Sequence, residues 1–170
     1  MKLVRTEVAF HSPWMDLLAK TFDESNDPYY TVKVPDYTSV IALTTDRRVV
    51  LVRQYRPAVE HHTIELPSGL IDPGESPEDT ARRELLEETG YQAGAVELLG
   101  SMEPDTGRLQ NRIWACLARD VRPLEGAVPE PGMEVLTWTI GELIQATIDG
   151  RFDHALHVAI VGLASLQGKL

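Results

Sequence analysis

Residues 69–91 read GLIDPGESPEDTARRELLEETGY, and this stretch decides the fold. Ser76 is a favoured helix-capping residue, Pro77 suits the first helical position, and the acids that follow favour the positive end of the helix dipole. Gly90 suits the left-handed conformation in which many helices end. The stretch therefore predicts a loop that contains Gly69, followed by a helix that Gly90 closes.

Three carboxylates share one face of this predicted helix. Glu84, Glu87 and Glu88 are spaced i, i+3 and i+4, so their side chains project from the same side. Like charges at this spacing repel by roughly 0.2–0.5 kcal/mol per exposed pair, and by more where the pair is buried. A bound cation would offset this repulsion, and several hard oxygen ligands suit Mg²⁺ or Mn²⁺. The opposite face is apolar and predicts packing onto a sheet.

The same stretch contains the pattern G-x5-E-x7-R-E-U-x-E-E-x-G-U, in which U is an aliphatic residue, and it thereby resembles the box of the Nudix hydrolases. Tyr91 stands where the pattern ends on an aliphatic residue. The resemblance implies an α/β fold, in the form of an α/β/α sandwich with a mixed sheet, and metal-dependent hydrolysis of a diphosphate bond. The positions that match are Gly69, Glu75, Arg83, Glu84, Leu85, Glu87, Glu88 and Gly90.

The resemblance also implies roles for individual residues. Glu84, Glu87 and Glu88 would bind the metal, together with the backbone carbonyl of Ser68. Glu87 is a catalytic candidate as well, because a glutamate of the box must act as base if no other acid does. Arg83 either acts on substrate or orients a metal-binding carboxylate. The orienting role is favoured, because metal ligands are generally held by such partners.

A second resemblance precedes the box. The runs VRQYRP (residues 52–57) and TIELPSG (residues 63–69) are similar to sequences of the ADP-ribose pyrophosphatase branch of the Nudix hydrolases. Arg56 could grip a diphosphate, because a guanidinium pairs bidentately with phosphate oxygens, and Arg53 could assist. A solvated arginine is the alternative for both. Glu65 is interpreted as a substrate-binding acid, with an ion-paired surface acid as the alternative.

The resemblance requires a general base, which in the ADP-ribose branch is a glutamate from a loop outside the box. Glu134 is the first candidate, because it immediately precedes a predicted strand at residues 135–140. Glu130 in the same loop is the second, and Glu103 is the third.

A nucleobase is commonly held by an aromatic side chain, and stacking contributes about 1–3 kcal/mol. Tyr30 is the candidate for this role, with Tyr29 and Tyr37 as alternatives, and ordinary packing explains each equally well. His154 and His157 are spaced i, i+3, which can bind a metal, but no third ligand accompanies them in the sequence. Packing is therefore the favoured interpretation of this histidine pair.

Composition narrows the class of protein. A chain of 170 residues with 43% hydrophobic residues can bury a sizeable core. Its formal charge of −10 argues against binding to nucleic acid or to an anionic membrane. The single cysteine, Cys116, excludes an internal disulfide and fits a cytoplasmic enzyme, and its apolar surroundings predict a buried thiol. The start of the chain lacks the apolar run of a signal peptide, and no stretch approaches a transmembrane helix in length.

Alternating hydrophobic patterns predict a β extension over residues 1–37, and the resemblance implies a Nudix hydrolase domain over residues 38–170. Strands are predicted at residues 39–44 and 49–55 as a hairpin, at 63–67, and at 96–103 and 113–119 as a pair. Helices are predicted at residues 142–149 and 154–166. In ADP-ribose pyrophosphatases similar extensions form an antiparallel sheet that reaches a second subunit, so the resemblance implies a homodimer. The alternative is a monomer whose extension covers a sheet edge.

The function that the resemblance implies is hydrolysis of a nucleoside diphosphate sugar, with ADP-ribose giving AMP and ribose 5-phosphate. Another nucleoside diphosphate derivative is the alternative substrate: a dinucleotide, NADH, a CoA-type diphosphate or a damaged nucleotide. An alternative of another class is a non-catalytic module that binds ADP-ribose. The complete set of box acids argues against that module, because a binder has no need of three repelling carboxylates.

Overall fold

The computed structural model describes residues 1–25 and 27–170. They form two compact units, of which the first combines Met1–Asp36 with Ser101–Ile113 and the second combines Tyr37–Gly100 with Trp114–Leu170. Among these described residues, no helix has both the length and the apolar character needed to cross a bilayer.

The first unit is a three-stranded antiparallel sheet of β1 (Leu3–His11), β2 (Asp16–Phe22) and β3 (Tyr29–Lys33), as predicted for the extension. The segment 101–113, which the sequence did not associate with the extension, bonds to β3. Val32 donates its N–H to the carbonyl of Arg108 at 2.8 Å, and Gln110 donates its N–H to the carbonyl of Val32 at 3.1 Å.

The second unit is built on an eight-stranded sheet. Its central order is β11-β5-β4-β10-β8, with β6 paired to β5, β7 to β4 and β9 to β10. The strands are β4 (Tyr37–Thr44), β5 (Arg48–Arg56), β6 (His61–Glu65), β7 (Ser68–Leu70), β8 (Tyr91–Gln92), β9 (Val96–Met102), β10 (Ile113–Pro123) and β11 (Glu134–Thr139). The helices are α1 (Pro77–Thr89), α2 (Ile140–Ile148) and α3 (Ala155–Leu166).

Strand β4 shows how the layers are stacked. Its residues 38–43 are at most 2% exposed, so both faces of the strand are covered. Successive side chains of a strand point to opposite faces. Val40 packs in one cluster with Ala81 and Leu85 of α1, whereas the hydroxyl of the preceding Ser39 bonds to His157 of α3. Helices α1 and α3 therefore cover opposite faces, and the predicted sandwich is confirmed.

The predicted hairpin is confirmed as β4 and β5, but two boundaries differ from the prediction. The strand expected at residues 63–67 ends at Glu65, because Ser68–Leu70 pairs separately with β4. Helix α2 begins at Ile140 rather than at residue 142, because Thr139 caps it. The Thr139 hydroxyl accepts from the Glu142 N–H at 3.1 Å, and the Glu142 carboxylate accepts from the Thr139 N–H at 2.7 Å.

Candidate active site

The box helix α1 has the predicted ends. The Ser76 hydroxyl accepts from the N–H of Asp79 at 3.2 Å. Gly90 has φ 71° and donates its N–H to the carbonyl of Leu86 at 2.8 Å. With its ends fixed in this way, the helix presents its carboxylates at graded depths: Glu88 is 5% exposed overall, and the side chains of Glu84 and Glu87 are 14% and 44% exposed.

Two of these carboxylates contact the backbone of the segment that precedes the helix and contains Ser68 and Gly69, here called the box loop. A Cβ atom added to Gly69 would lie 1.8 Å from Oε1 of Glu84, so only glycine allows the carboxylate to approach this closely. The Ser68 N–H donates to Oε2 of Glu88 at 3.0 Å. Helix and loop thus meet at Ser68, whose backbone carbonyl was predicted to bind the metal, and at Gly69.

The carboxylate face is electrostatically unfavourable without a cation. Burial raises the pKa of Glu88 to about 8, and a hydrogen bond from Ser68 only partly opposes it. Burial is also the main cause that raises the pKa of Glu84, with smaller contributions from Glu87 and Glu130. The donors are hard oxygen atoms, the type that Mg²⁺ and Mn²⁺ prefer. The residues present therefore fit a divalent cation.

Arg83 uses all five of its N–H donors inside the protein. Nη1 donates to Glu84 at 2.7 Å and to Glu87 at 3.0 Å. Nε and Nη2 donate to Glu75 at 3.1 and 3.0 Å, and Nη2 also donates to the carbonyl of Leu70 at 3.1 Å. These bonds to Arg83 are the main cause that lowers the pKa of Glu75 to about 2. Such contacts suit a residue that positions carboxylates rather than one that binds substrate.

Arg56 and Glu65 form a bidentate ion pair, with Nε–Oε1 and Nη2–Oε2 distances of 2.8 and 2.6 Å. Glu65 is 1% exposed, whereas the side chain of Arg56 is 43% exposed. Burial alone would raise the pKa of Glu65, but hydrogen bonds from Arg56 and Thr63 outweigh it and hold the pKa at about 2. The pair leaves one side of the Arg56 guanidinium open while Glu65 holds it in place.

Arg53 is paired with Glu134. The two residues are direct neighbours in the β5–β11 register, and the guanidinium donates to the carboxylate at 2.8 Å. Both side chains are substantially exposed, at 42% and 56%. Glu134, the first candidate for the general base, therefore forms an ion pair with Arg53, which was predicted to bind substrate.

The second candidate for the base lies beside the box. Glu130 donates its backbone N–H to the carbonyl of Glu87 at 3.0 Å, and its charge contributes to the raised pKa of Glu84. The same loop is also joined to the end of α1, because Leu124 donates its N–H to the carbonyl of Gly90 at 2.9 Å. The sequence did not predict these contacts between the loop and α1, because they join residues far apart in the chain.

Two other predicted residues belong to the first unit. Glu103 is exposed in the segment 101–113, and Tyr30 is 48% exposed on β3.

The histidine pair lies next to Glu65, a neighbour that the sequence did not reveal. Ligand atoms of Glu65, His154 and His157 lie within 4.8 Å of one another. Both ring nitrogens of His157 nevertheless have hydrogen-bond partners within the protein. Nδ1 accepts from the Leu66 N–H at 3.1 Å, and Nε2 lies 3.2 Å from the hydroxyl of Ser68. Burial lowers the pKa of His157 to about 3, so it is neutral. These bonds favour a structural role over metal binding.

Two cavities meet at the Arg56–Glu65 pair. The first, here called the box-side cavity, has a volume of about 350 Å³, and the second, here called the outer cavity, has about 320 Å³. Arg56, Glu65 and His154 line both. The box-side cavity is completed by Tyr37, Ser68, Gly69, Leu70 and His157, and the outer cavity by Ala58, Val59, His61, Thr63 and Asp153.

Comparison with known proteins gives matches over most of this chain. The family model described as the NUDIX domain matches residues 35–151. The chain is 32% identical over 142 residues to the methanol dehydrogenase activator of Bacillus methanolicus, covering 82% of this chain and 77% of that one. It is 31% identical to the ADP-ribose pyrophosphatase of Bacillus subtilis over 127 residues, which cover 73% of this chain and 69% of the relative.

A third relative is the ADP compounds hydrolase NudE of Escherichia coli, which is 31% identical over 126 residues, covering 73% of this chain and 67% of the relative. A crystal structure of an ADP compounds hydrolase superposes with a TM-score of 0.80 at 24% identity, over 99% of this chain and 96% of that one. That likeness shows a shared fold over almost the whole of both chains.

Proposed function

This chain belongs to the Nudix hydrolase family and is a Nudix pyrophosphatase, and from that premise we propose that it hydrolyses ADP-ribose to AMP and ribose 5-phosphate. Two relatives are described as an ADP-ribose pyrophosphatase and an ADP compounds hydrolase. The observation that carries the proposal is the box-side cavity, whose lining joins Arg56 to Ser68 and Gly69 of the box loop. A diphosphate bound there would contact a guanidinium and lie beside the box carboxylates.

We propose Mg²⁺ as the cofactor, with Mn²⁺ as the alternative. Glu84, Glu87, Glu88 and the backbone carbonyl of Ser68 would hold it. Support comes from the oxygen donors that converge on the box loop and from the raised pKa values of Glu84 and Glu88. When bound, the cation neutralises diphosphate charge and lowers the pKa of the attacking water. Arg83 positions Glu84 and Glu87 for this purpose.

The exposed side of Arg56 is proposed to bind the diphosphate. A guanidinium presents donors in a planar fork that matches phosphate oxygens, and Glu65 fixes the direction of that fork by occupying Nε and Nη2. Glu65 would thus act on substrate through Arg56. Arg53 would contribute less to binding the diphosphate, because it is paired with Glu134.

For the general base we propose Glu130, with Glu134 as the alternative and Glu103 as a third candidate. Support for Glu130 comes from its backbone bond to Glu87 and from its electrostatic effect on Glu84. Its side chain is exposed and can accept a proton from water near the carboxylate face. Glu134 would first have to leave its ion pair with Arg53. If none of the three acts, Glu87, the most exposed of the box carboxylates, would serve.

The first unit is proposed to pair with a second copy of the chain. Strand β1 is exposed along its whole length, and several of its side chains are apolar. These are Leu3, Val4, Val8 and Phe10, which are 47%, 66%, 60% and 52% exposed. Exposed apolar strands commonly mark an interface or an aggregation risk, so a second copy is the occupant we propose. Tyr30, half exposed on β3, is proposed to stack on the nucleobase.

The test is a panel of substrates at neutral pH with Mg²⁺, in which products are separated by chromatography. The panel contains ADP-ribose, UDP-glucose, GDP-mannose, NADH, diadenosine polyphosphates and 8-oxo-dGTP. Release of AMP and ribose 5-phosphate from ADP-ribose should dominate, should be lost in Glu88→Gln, and should persist in Glu125→Gln, which changes an exposed turn acid.

Three other outcomes would each overturn part of the proposal. Preference for a dinucleotide or a damaged nucleotide would replace the substrate but keep the chemistry. Tight ADP-ribose binding without turnover of any compound would favour the binding module. Equal activity of Glu88→Gln and wild type would remove the box carboxylates from the reaction.

A further inference from the structure

The outer cavity shares Arg56, Glu65 and His154 with the box-side cavity but contains no residue of the box loop, and the reaction proposed above assigns it no task. Because Arg56 and Glu65 line both cavities, a diphosphate bound to Arg56 is within reach of both. One half of a substrate can therefore extend into the outer cavity.

The polar groups of this cavity have defined hydrogen-bonding directions. His61 Nδ1 lies 2.8 Å from the carbonyl of Val59, so Nδ1 donates to that carbonyl and Nε2 is left for a ligand. His154 has the reverse arrangement: its Nδ1 accepts from the backbone N–H of His157, so Nε2 of the neutral ring is a donor. The exposed carboxylate of Asp153 adds a charged acceptor.

The donor His154 is held rigidly. Its ring stacks on that of the buried His157, with centroids 3.8 Å apart and an angle of 17° between the planes. His157 is in turn fixed by its bond to the Leu66 N–H. A ring held in this way presents its donor at little entropic cost when a ligand binds.

The N–H donor of His154 and the carboxylate of Asp153 together favour a neutral ligand. A hydroxyl group both donates and accepts, so hydroxyl groups can bind both to the carboxylate of Asp153 and to the N–H of His154. A terminal phosphate or carboxylate would instead meet the carboxylates of Asp153 and Glu65, while the open side of the Arg56 guanidinium is taken by the diphosphate. The aliphatic residues Ala58 and Val59 can cover the apolar side of a sugar ring.

We propose that the outer cavity is a sugar-binding subsite, in which Asp153, His61 and His154 bind hydroxyl groups of the sugar half of the substrate. The assignment rests on the proposed hydrolysis of a nucleoside diphosphate sugar, and it adds the residues that select the group beyond the diphosphate. It predicts preference for a neutral polyhydroxylated sugar over a group with a negative charge. Asp153 is then a specificity-determining residue whose contribution is to binding.

The kinetic test compares ADP-ribose with the methyl ester of ADP, which keeps the adenosine and the diphosphate but lacks the sugar. For Asp153→Asn we expect KM for ADP-ribose to rise about tenfold with kcat nearly unchanged, since one charge-assisted hydrogen bond is weakened. KM for the methyl ester should not change. Asp120→Asn, which alters an exposed carboxylate on β10, is the matched control and should affect neither substrate.

A calorimetric test needs no catalysis. Asp153→Asn should weaken binding of ribose 5-phosphate and leave the affinity for AMP unchanged. A rise in KM of the same size for both substrates, or no change in KM and in ribose 5-phosphate affinity, would overturn the subsite. Failure of the wild type to hydrolyse ADP-ribose would instead refute the proposed function, because the binding measurement still reports on the outer cavity.

Discussion

At Gly69 the backbone of the box loop comes into contact with the carboxylate of Glu84, and the missing side chain is what makes this possible. In Gly69→Ala the new Cβ would overlap Oε1 of Glu84, so the carboxylate or the loop must move. A displacement of about 1 Å in an active site can cost roughly a hundredfold in rate, and we expect a loss of that order in kcat/KM.

The matched control for this substitution is Gly94→Ala. A Cβ at Gly94 meets no atom within 4 Å, so activity and thermal stability should match the wild type. If Gly69→Ala keeps its activity within a factor of about three, the close packing of loop and carboxylate is not needed for catalysis.

The five bonds of Arg83 lead to a second prediction. Lysine has three donors around one nitrogen and cannot span Glu75, Glu84 and Glu87 in the same plane. Arg83→Lys should therefore raise the Mg²⁺ concentration needed for half-maximal activity, by roughly tenfold or more, because outer-shell partners of metal ligands have effects of this size.

The neighbouring arginine provides the control. Arg82 bonds to Asp79 at the surface of the same helix, and Arg82→Lys should leave the Mg²⁺ dependence unchanged. An unchanged Mg²⁺ dependence in Arg83→Lys, together with a lower kcat, would indicate that the guanidinium acts on substrate and not on the carboxylates.

Replacing Glu130 and Glu134 in turn by glutamine shows which of the two is the general base. Glu130→Gln removes the proposed base while keeping the size of the side chain, and kcat should fall by about 10²–10⁴, the usual contribution of general-base catalysis. Glu134→Gln should change kcat only slightly, since Glu134 is paired with Arg53. Steady-state rates at saturating ADP-ribose measure both effects, and the opposite ranking would return the role to Glu134.

At the scale of the elements, the sequence correctly predicted those helix ends that depend only on residues close together in the chain. Ser76, Pro77 and Gly90 marked the ends of α1 because caps are set by residues close in sequence. The start of α2 was misplaced because Thr139 is β-branched and favours a strand, while it also caps the helix.

The contacts of Glu130 with Glu87 and of His157 with Leu66 join residues far apart in the chain. Spacing within one sequence holds no information on such contacts. The shared face of the box carboxylates was therefore predictable from the sequence, whereas the contacts that the loop and helix α3 make with the box were not.

Helix α3 is joined to the sheet through a neutral histidine, and this contact predicts a pH dependence. The folded-state pKa of His157 is about 3, against an ordinary value of 6.5. Between these values the unfolded chain binds a proton that the folded chain does not. The contribution of His157 to stability should therefore fall as the pH is lowered from 6.5, with a slope that approaches about 1.4 kcal/mol per pH unit. Glu88, whose pKa is raised to about 8, contributes a slope of the opposite sign.

Urea denaturation between pH 7 and pH 5 measures the sum of these slopes, so the contribution of His157 is the difference between the wild type and His157→Asn. This variant should be less stable than the wild type at pH 7, and its slope should be lower by up to about 1.4 kcal/mol per pH unit. His61→Asn, which changes an exposed histidine, should keep the wild-type slope. Equal slopes in the wild type and in His157→Asn would show that another group causes the pH dependence.

At the scale of the whole molecule, the charge of −10 acts against the proposed pairing of two chains. Salt screens this repulsion, so the dimer should tighten as ionic strength rises. Sedimentation equilibrium should give the mass of a dimer for the wild type and of a monomer for Val8→Asp, in which a charge replaces an exposed apolar residue of β1. Ile148→Asp, at the exposed end of α2, should remain a dimer. A monomeric wild type at high salt would contradict the pairing.

The bonds between β3 and the segment 101–113 have a consequence for how such a chain evolves. Val32 exchanges backbone hydrogen bonds with Arg108 and Gln110, which are encoded far from it in the gene. A lineage that gained or lost the β strands before residue 37 would have to reshape residues 101–113 as well. In a set of homologous genes we expect the two stretches to lengthen, shorten and disappear together.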